Sequence, residues 1–374
     1  MTPALDTPTS DRTVRALMTT VGVAILAGVA GGFVSGPSVV AMGVLMVAFS
    51  AQMLVTLRLA RRRLWARAAL MGFLLLTAGA VAIGFATSEL PPAFGAYALS
   101  PSARVDRSLG AAQCVLGFAS AGLLLTTTPL RPVTRVLFRM SPEHPLYAPA
   151  ILFTTLSLGV VFAAVAYAGG PPSLLMLETM ARTKGPPAVS YETGPLIFGA
   201  LATIAVTLSL SLIAVGVFTD RTVAAAGDRL GLHWPAPAAV GPIALGLVAI
   251  VAASLVHEQL APPLAGLFGG KPTTETDLSG LFAGVTGALS GTLFALVAGT
   301  TEEFMFRGVL QPQLGLVSTT ALFAAAHGFQ YRLDALIVVF FMGLVLGVLR
   351  EKHGLVAAMV VHVAYDFLAL VVMS

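Results

Sequence analysis

Charge is scarce in this chain. Only 10% of its 374 residues are Asp, Glu, Lys or Arg, against about 25% in a soluble domain. That scarcity excludes an ordinary water-soluble globule. With 57% hydrophobic residues, it points to a polytopic membrane protein. Cysteine is nearly absent as well. Cys114 is alone, so no intrachain disulfide can form, and its apolar surroundings mark it as a small lipid- or core-facing residue. The net charge of +4 gives no nucleic-acid signature, because most basic residues sit in short loops where they set membrane orientation. The zinc-protease sequence His-Glu-x-x-His is missing, and neither an internal repeat nor a soluble domain is evident.

What the chain does have is apolar runs. A membrane helix needs about 20 mostly apolar residues. This rule predicts spans near 16–35, 38–57, 68–87, 108–128, 147–168, 195–218, 239–256 and 279–300, then three shorter runs near 316–329, 334–349 and 355–373. The expected fold is therefore all-α, a transmembrane helical bundle of about 11 membrane segments. The first span is read as an uncleaved half of a helical hairpin, because apolar character resumes after Gly36-Pro37. With the N-terminus cytoplasmic, twelve basic residues fall in inside segments and five outside. That bias supports a multi-pass cell-membrane protein with its N-terminus inside. The cluster Arg61-Arg62-Arg63 reads as a topogenic and headgroup patch.

Pro and Gly collect at Pro91-Pro92, Gly169-Gly170-Pro171-Pro172, Gly185-Pro186-Pro187 and Pro262-Pro263, which are turn signals. The polar interruption 171–194 suggests two parts: an N-terminal membrane region, 1–190, and a C-terminal one, 191–374. Glycines recur at Gly280, Gly284, Gly287 and Gly291, and again at Gly343 and Gly347. Small residues at this spacing let membrane helices approach closely.

Against this background the polar residues of the last quarter stand out. Glu302, Glu303 and Arg307 end the apolar run 278–298. Charged groups within a bilayer cost several kcal/mol on some scales, so they usually pair, line a cavity or work. Residues four apart share a helix face, so Arg307 should sit over Glu303 and leave Glu302 free to act as a base. His327 follows Phe323 by four residues, and His362 precedes Asp366 by four. A carboxylate in that position can orient a histidine and fix its tautomer. His144, His233, His257 and His353 sit in loops or at span ends, and read as solvated or interfacial. Each motif alone has a plain structural reading: an interfacial ion pair, a hydrogen-bonded core histidine, a helix-stabilising contact.

Taken in order, Glu302-Glu303-x-x-x-Arg307, Phe323-x-x-x-His327, Phe340-x-x-Gly343-x-x-x-Gly347 and His362-x-x-x-Asp366 resemble a known family. It comprises the CAAX prenyl proteases of the Ras-converting endopeptidase type and the bacterial bacteriocin-processing and immunity membrane proteins. The resemblance covers roughly residues 279–374, and the rest of the chain carries no recognisable motif. It implies an intramembrane glutamate-dependent endopeptidase acting on a membrane-associated peptide or protein. Glu302 and His327 would activate water; His362 and Asp366 would stabilise the oxyanion. Asp366 stands where the prenyl proteases have asparagine. An ionised Asp would repel an oxyanion, so its role fits if it orients His362 or is kept protonated by burial.

The expected partners are the bilayer and a membrane-associated substrate, with no nucleic acid and no cofactor. Zinc is the lesser alternative, since Glu302, His327, His362 and Asp366 offer nitrogen and oxygen donors. Two other functions share these residues: a non-catalytic immunity or scaffold protein, and a proton-coupled transporter. Simple span alternation would put Glu302 and His327 at opposite membrane faces. The short runs after Arg307 leave room for tilted or sunken helices around a wet cavity.

Overall fold

The computed structural model describes residues 193–217, 221–267, 287–327 and 331–372, with short pieces between 64 and 155. The described part is helical. Its elements are α1 (Thr193–Val215), α2 (Val223–Leu230), α3 (Val240–Leu267), α4 (Ala288–Glu302), a π-helical segment (Glu303–Leu310), α5 (Gln311–Leu314), α6 (Leu316–Ala326), α7 (Leu333–His353) and α8 (Leu355–Phe367), which ends in a second π turn (Leu368–Val372). Among the described residues, three stretches are long and apolar enough to cross a membrane: Ile197–Val215, Pro237–Leu264 and Leu355–Val372. Phe198, Leu201, Leu245 and Val248 lie exposed along α1 and α3, as lipid-facing side chains do.

The expected count of about 11 segments is not established. The five spans expected before residue 170, Cys114, the Arg61 cluster, Gly280 and Gly284 lie largely or wholly outside the described residues. Two boundaries differ from expectation. The span expected to stop at 256 continues to Leu267, with Pro262 and Pro263 inside the helix. Proline removes an N–H donor, but both prolines fall in the last turns, so few hydrogen bonds are lost. The run expected over 316–329 is a helix of only 11 residues, capped by His327. At 1.5 Å per residue it is about 16 Å long, roughly half of a 30 Å hydrocarbon core.

α8 is the central helix and touches α3, α4, α7 and the π segment. Two apolar clusters meet along it. One joins Val215, Leu230, Phe304 and Val309 to Leu355 and Met359. The other joins Ile250 of α3 and Met342, Leu346 and Leu349 of α7 to Ala358 and Val361. The chain enters α8 through Gly354, whose φ of 92° is open to glycine at little cost. His233 packs against that turn so closely that a Cβ on Gly354 would lie 2.4 Å from its ring.

Glycines set the helix spacing around the polar residues. A Cβ on Gly299 would stand 2.7 Å from the backbone nitrogen of Val363, so α4 and α8 meet backbone to backbone. A Cβ on Gly343 would stand 2.9 Å from Thr320, and one on Gly347 2.3 Å from Leu316, which brings α7 against α6. Gly299→Ala should force α4 from α8, at about 1–3 kcal/mol for overpacking. A lowered melting temperature in detergent is the expected result. Gly241→Ala, which meets nothing within 4 Å, is the control expected to melt like the parent.

Candidate active site

The polar residues of the sequence motifs come together where α4, the π segment, α6 and α8 meet. Glu302 is the last residue of α4, and Glu303 the first of the π segment. π-type i→i+5 turns are rare, and are frequently found at functional sites. Glu303 is fully buried and Arg307 is 1% exposed. Their charges lie 3.2 Å apart, Nη1 to Oε1, at the i,i+4 spacing. The contact is short enough for an ion pair, although Nη1 is not aligned to hydrogen-bond. The guanidinium finds further support. Its centre stands 4.0 Å from the Phe323 ring centroid, a cation–π contact, and Nη2 donates to the Gly343 carbonyl at 3.4 Å. Gly343 is needed here too, since a Cβ would come within 3.4 Å of Nη2. The phenylalanine of one motif and the glycine of another thus both serve the arginine.

His362 sits seven residues beyond the start of α8, about 10 Å along it. It is 3% exposed. Its Nδ1 lies 2.9 Å from Oε1 of Glu303. A carboxylate beside arginine accepts, so Nδ1–H is the donor. This leaves Nε2 facing Oδ2 of Asp366 at 3.6 Å and Oε2 of Glu302 at 3.9 Å. His327 approaches Glu302 from α6. Its Nδ1 is 2.8 Å from the Phe323 carbonyl, which can only accept, so this nitrogen also carries its proton. Nε2 then points to Oε2 of Glu302 at 3.6 Å.

Both Nε2 atoms stop short of direct hydrogen bonds to Glu302, which need about 2.7–3.2 Å. Oε2 of Glu302 is buried and has no direct hydrogen-bond partner. The side chain as a whole is 28% exposed, His327 is 15% and Asp366 17%. The cluster therefore has a sealed end, Glu303–Arg307–His362, and an accessible end, Glu302–His327–Asp366. In the tautomer with its proton on Nδ1, His327 offers Nε2 as an acceptor facing the Glu302 carboxylate, and a donor standing between them satisfies both. Among the described residues, no three His, Cys, Asp or Glu side chains are arranged to hold a metal.

The structure also departs from the sequence reading at several side chains. His362 bonds Glu303 across helices, a contact that no spacing rule foretold. His257, read as interfacial, pairs its Nε2 with Oδ2 of Asp334 at 3.1 Å, and that aspartate is 1% exposed. His233 stays exposed, as read, although its ring lies against the Gly354 turn. Tyr365 shares a 2.7 Å hydrogen bond with Ser254 of α3, and Tyr331 stacks on His327 at 5.9 Å between ring centroids. An aspartate or tyrosine in an oily run was the available signal for these.

A membrane protein whose described residues are helical, with acids and histidines gathered inside those helices, belongs to a narrow class, since such residues rarely lie there without a task. Residues 284–368 match the family model described as type II CAAX prenyl endopeptidase Rce1-like. The match begins within the glycine-rich segment and ends just past Asp366, and the family is one of membrane proteases. No curated protein and no solved structure matches the chain.

Arg307 is the counter-charge of a fully buried carboxylate. Removing one partner of a buried pair costs about 3–5 kcal/mol. Arg307→Ala should therefore yield little folded protein and melt well below the parent, by size-exclusion yield and thermal unfolding in detergent. Normal yield and melting would contradict the structural role of the pair.

Proposed function

We propose that the chain is an intramembrane endopeptidase that hydrolyses a peptide bond of a membrane-associated peptide or protein with water activated by Glu302 and His327. The observation that carries this reading is the facing of two acceptors, Glu302 Oε2 and His327 Nε2, 3.6 Å apart at the accessible end of the cluster. A water between them can donate one hydrogen to each. Its lone pairs are then free for a carbonyl carbon, the geometry that general-base catalysis needs.

The steps follow from the protonation states. Glu302 takes a proton as the water oxygen bonds to the carbonyl carbon, and the carbonyl π electrons pass to oxygen. His362 donates from Nε2 to that oxyanion. Its Nδ1–H is already committed to Glu303, so donation from Nε2 requires the doubly protonated ring. Glu303 and Asp366 flank that cation, 2.9 and 3.6 Å away. Asp366 thus serves by orienting and balancing His362 rather than by touching the oxyanion. When the intermediate collapses, the C–N bond breaks and the amine leaves with the proton held by Glu302. Glu303 and Arg307 form the support beneath this apparatus, and no cofactor takes part in it.

The test uses purified full-length protein in liposomes with membrane-anchored peptides, assayed with and without a chelator. Glu302→Gln keeps the size but cannot take water's proton, so cleavage should fall to a small residual rate while folding persists. His362→Ala should lose about 10²- to 10³-fold in kcat, the cost of one oxyanion donor in well-studied hydrolases. Activity should survive chelation. Full activity in Glu302→Gln would overturn the glutamate base. Loss on chelation with rescue by zinc would replace the metal-free mechanism with a metal-dependent one.

A further inference from the structure

We propose that Tyr331 is a positioning residue for His327, and that the His257–Asp334 pair holds Tyr331 in place. This rests on the reading of His327 as the residue that aims water with Glu302.

His327 is the C-cap of a helix of only 11 residues, a poor foundation for a group that must be aimed. Its Nδ1 bond to the Phe323 carbonyl fixes one edge of the ring. A single hydrogen bond still leaves the ring free to tilt about that contact. The Tyr331 ring supplies the second restraint. It lies parallel to the imidazole, 4° between planes and 5.9 Å between centroids. On the same imidazole bears Phe323, tilted 53° at 4.7 Å. Together these contacts fix an edge and a plane, and so the direction of Nε2.

Tyr331 must itself be held. Its N–H donates to the His327 carbonyl at 3.0 Å. Two residues after Tyr331, α7 begins, and Asp334 stands in its first turn. There Asp334 takes the hydrogen bond from His257 of α3. An aspartate buried to 1% exposure within an apolar helix is costly unless paired. The pair therefore ties the start of α7 to α3, and with it the tyrosine just ahead. Water activation as described uses neither the partly buried His257 nor the buried Asp334, and the proposal gives both a role.

The experiment reads the ring itself, before any substrate is added. Full-length protein with ¹⁵N-labelled histidine is reconstituted in lipid nanodiscs. The His327 signals are assigned by their loss in His327→Gln. The parent should show one tautomer, with the proton on Nδ1. Tyr331→Leu should mix the two tautomers, and Tyr331→Phe, which keeps the ring, should restore the single one. His257→Leu should act in the same direction as Tyr331→Leu, and His257→Gln, which can still donate to Asp334, less so. In the liposome cleavage assay, Tyr331→Leu should lower kcat by up to about 100-fold, the scale of a 1 Å misplacement, with KM little changed. Tyr331→Phe should recover most of that loss. A folded Tyr331→Leu protein whose His327 signals match the parent's would overturn the proposal, even if its melting temperature fell. A parent that shows the tautomer effect but cleaves nothing would overturn the protease reading alone.

Discussion

One buried carboxylate holds this site together. Glu303 has no exposed surface, and it is shared between Arg307 on its own segment and His362 on α8. A charge in that position is tolerable only if its partners are fixed. Arg307 is fixed in turn by the Phe323 ring of α6 and the Gly343 carbonyl of α7. Four separate segments are thus committed to one ion pair. Their mutual arrangement then brings Glu302, adjacent to Glu303 but on the next face, against two histidines.

The short helix α6 is the second condition. A full span after Arg307 would have carried His327 to the far side of the bilayer. Eleven residues carry it only about 16 Å, so it returns to the level of Glu302. The close glycine contacts of α7 with α6 make this half-span packable, and the Phe323 ring joins it to the arginine below. The accessible end of the cluster is where Glu302 and Asp366 keep partial exposure.

Much of the local arrangement was legible in the sequence, because it depends on helical spacing. The contacts of Glu303 with Arg307 and of His362 with Asp366 are both i,i+4 contacts. The tight packing of Gly343 and Gly347 follows from four-residue small-residue spacing. The Glu303–His362 bond was not legible, because it depends on where the π segment crosses α8. The π geometry itself leaves no mark in composition. His257 and Asp334 are 77 residues apart, and no local pattern joins them. Pro262-Pro263 misled for a different reason. Proline is read as a helix stop, but a proline pair in the last turns gives up few hydrogen bonds, and α3 runs through it.

The central claim is that Glu302 and His327 act on one water as a unit. A double-mutant cycle in the cleavage assay tests it most directly, with Glu302→Gln, His327→Ala and the double variant compared by kcat/KM. Groups that act as a unit show strongly non-additive losses. The account predicts a double variant little worse than Glu302→Gln alone. Losses that multiply in the double variant would mean that the two residues act independently, and would contradict it.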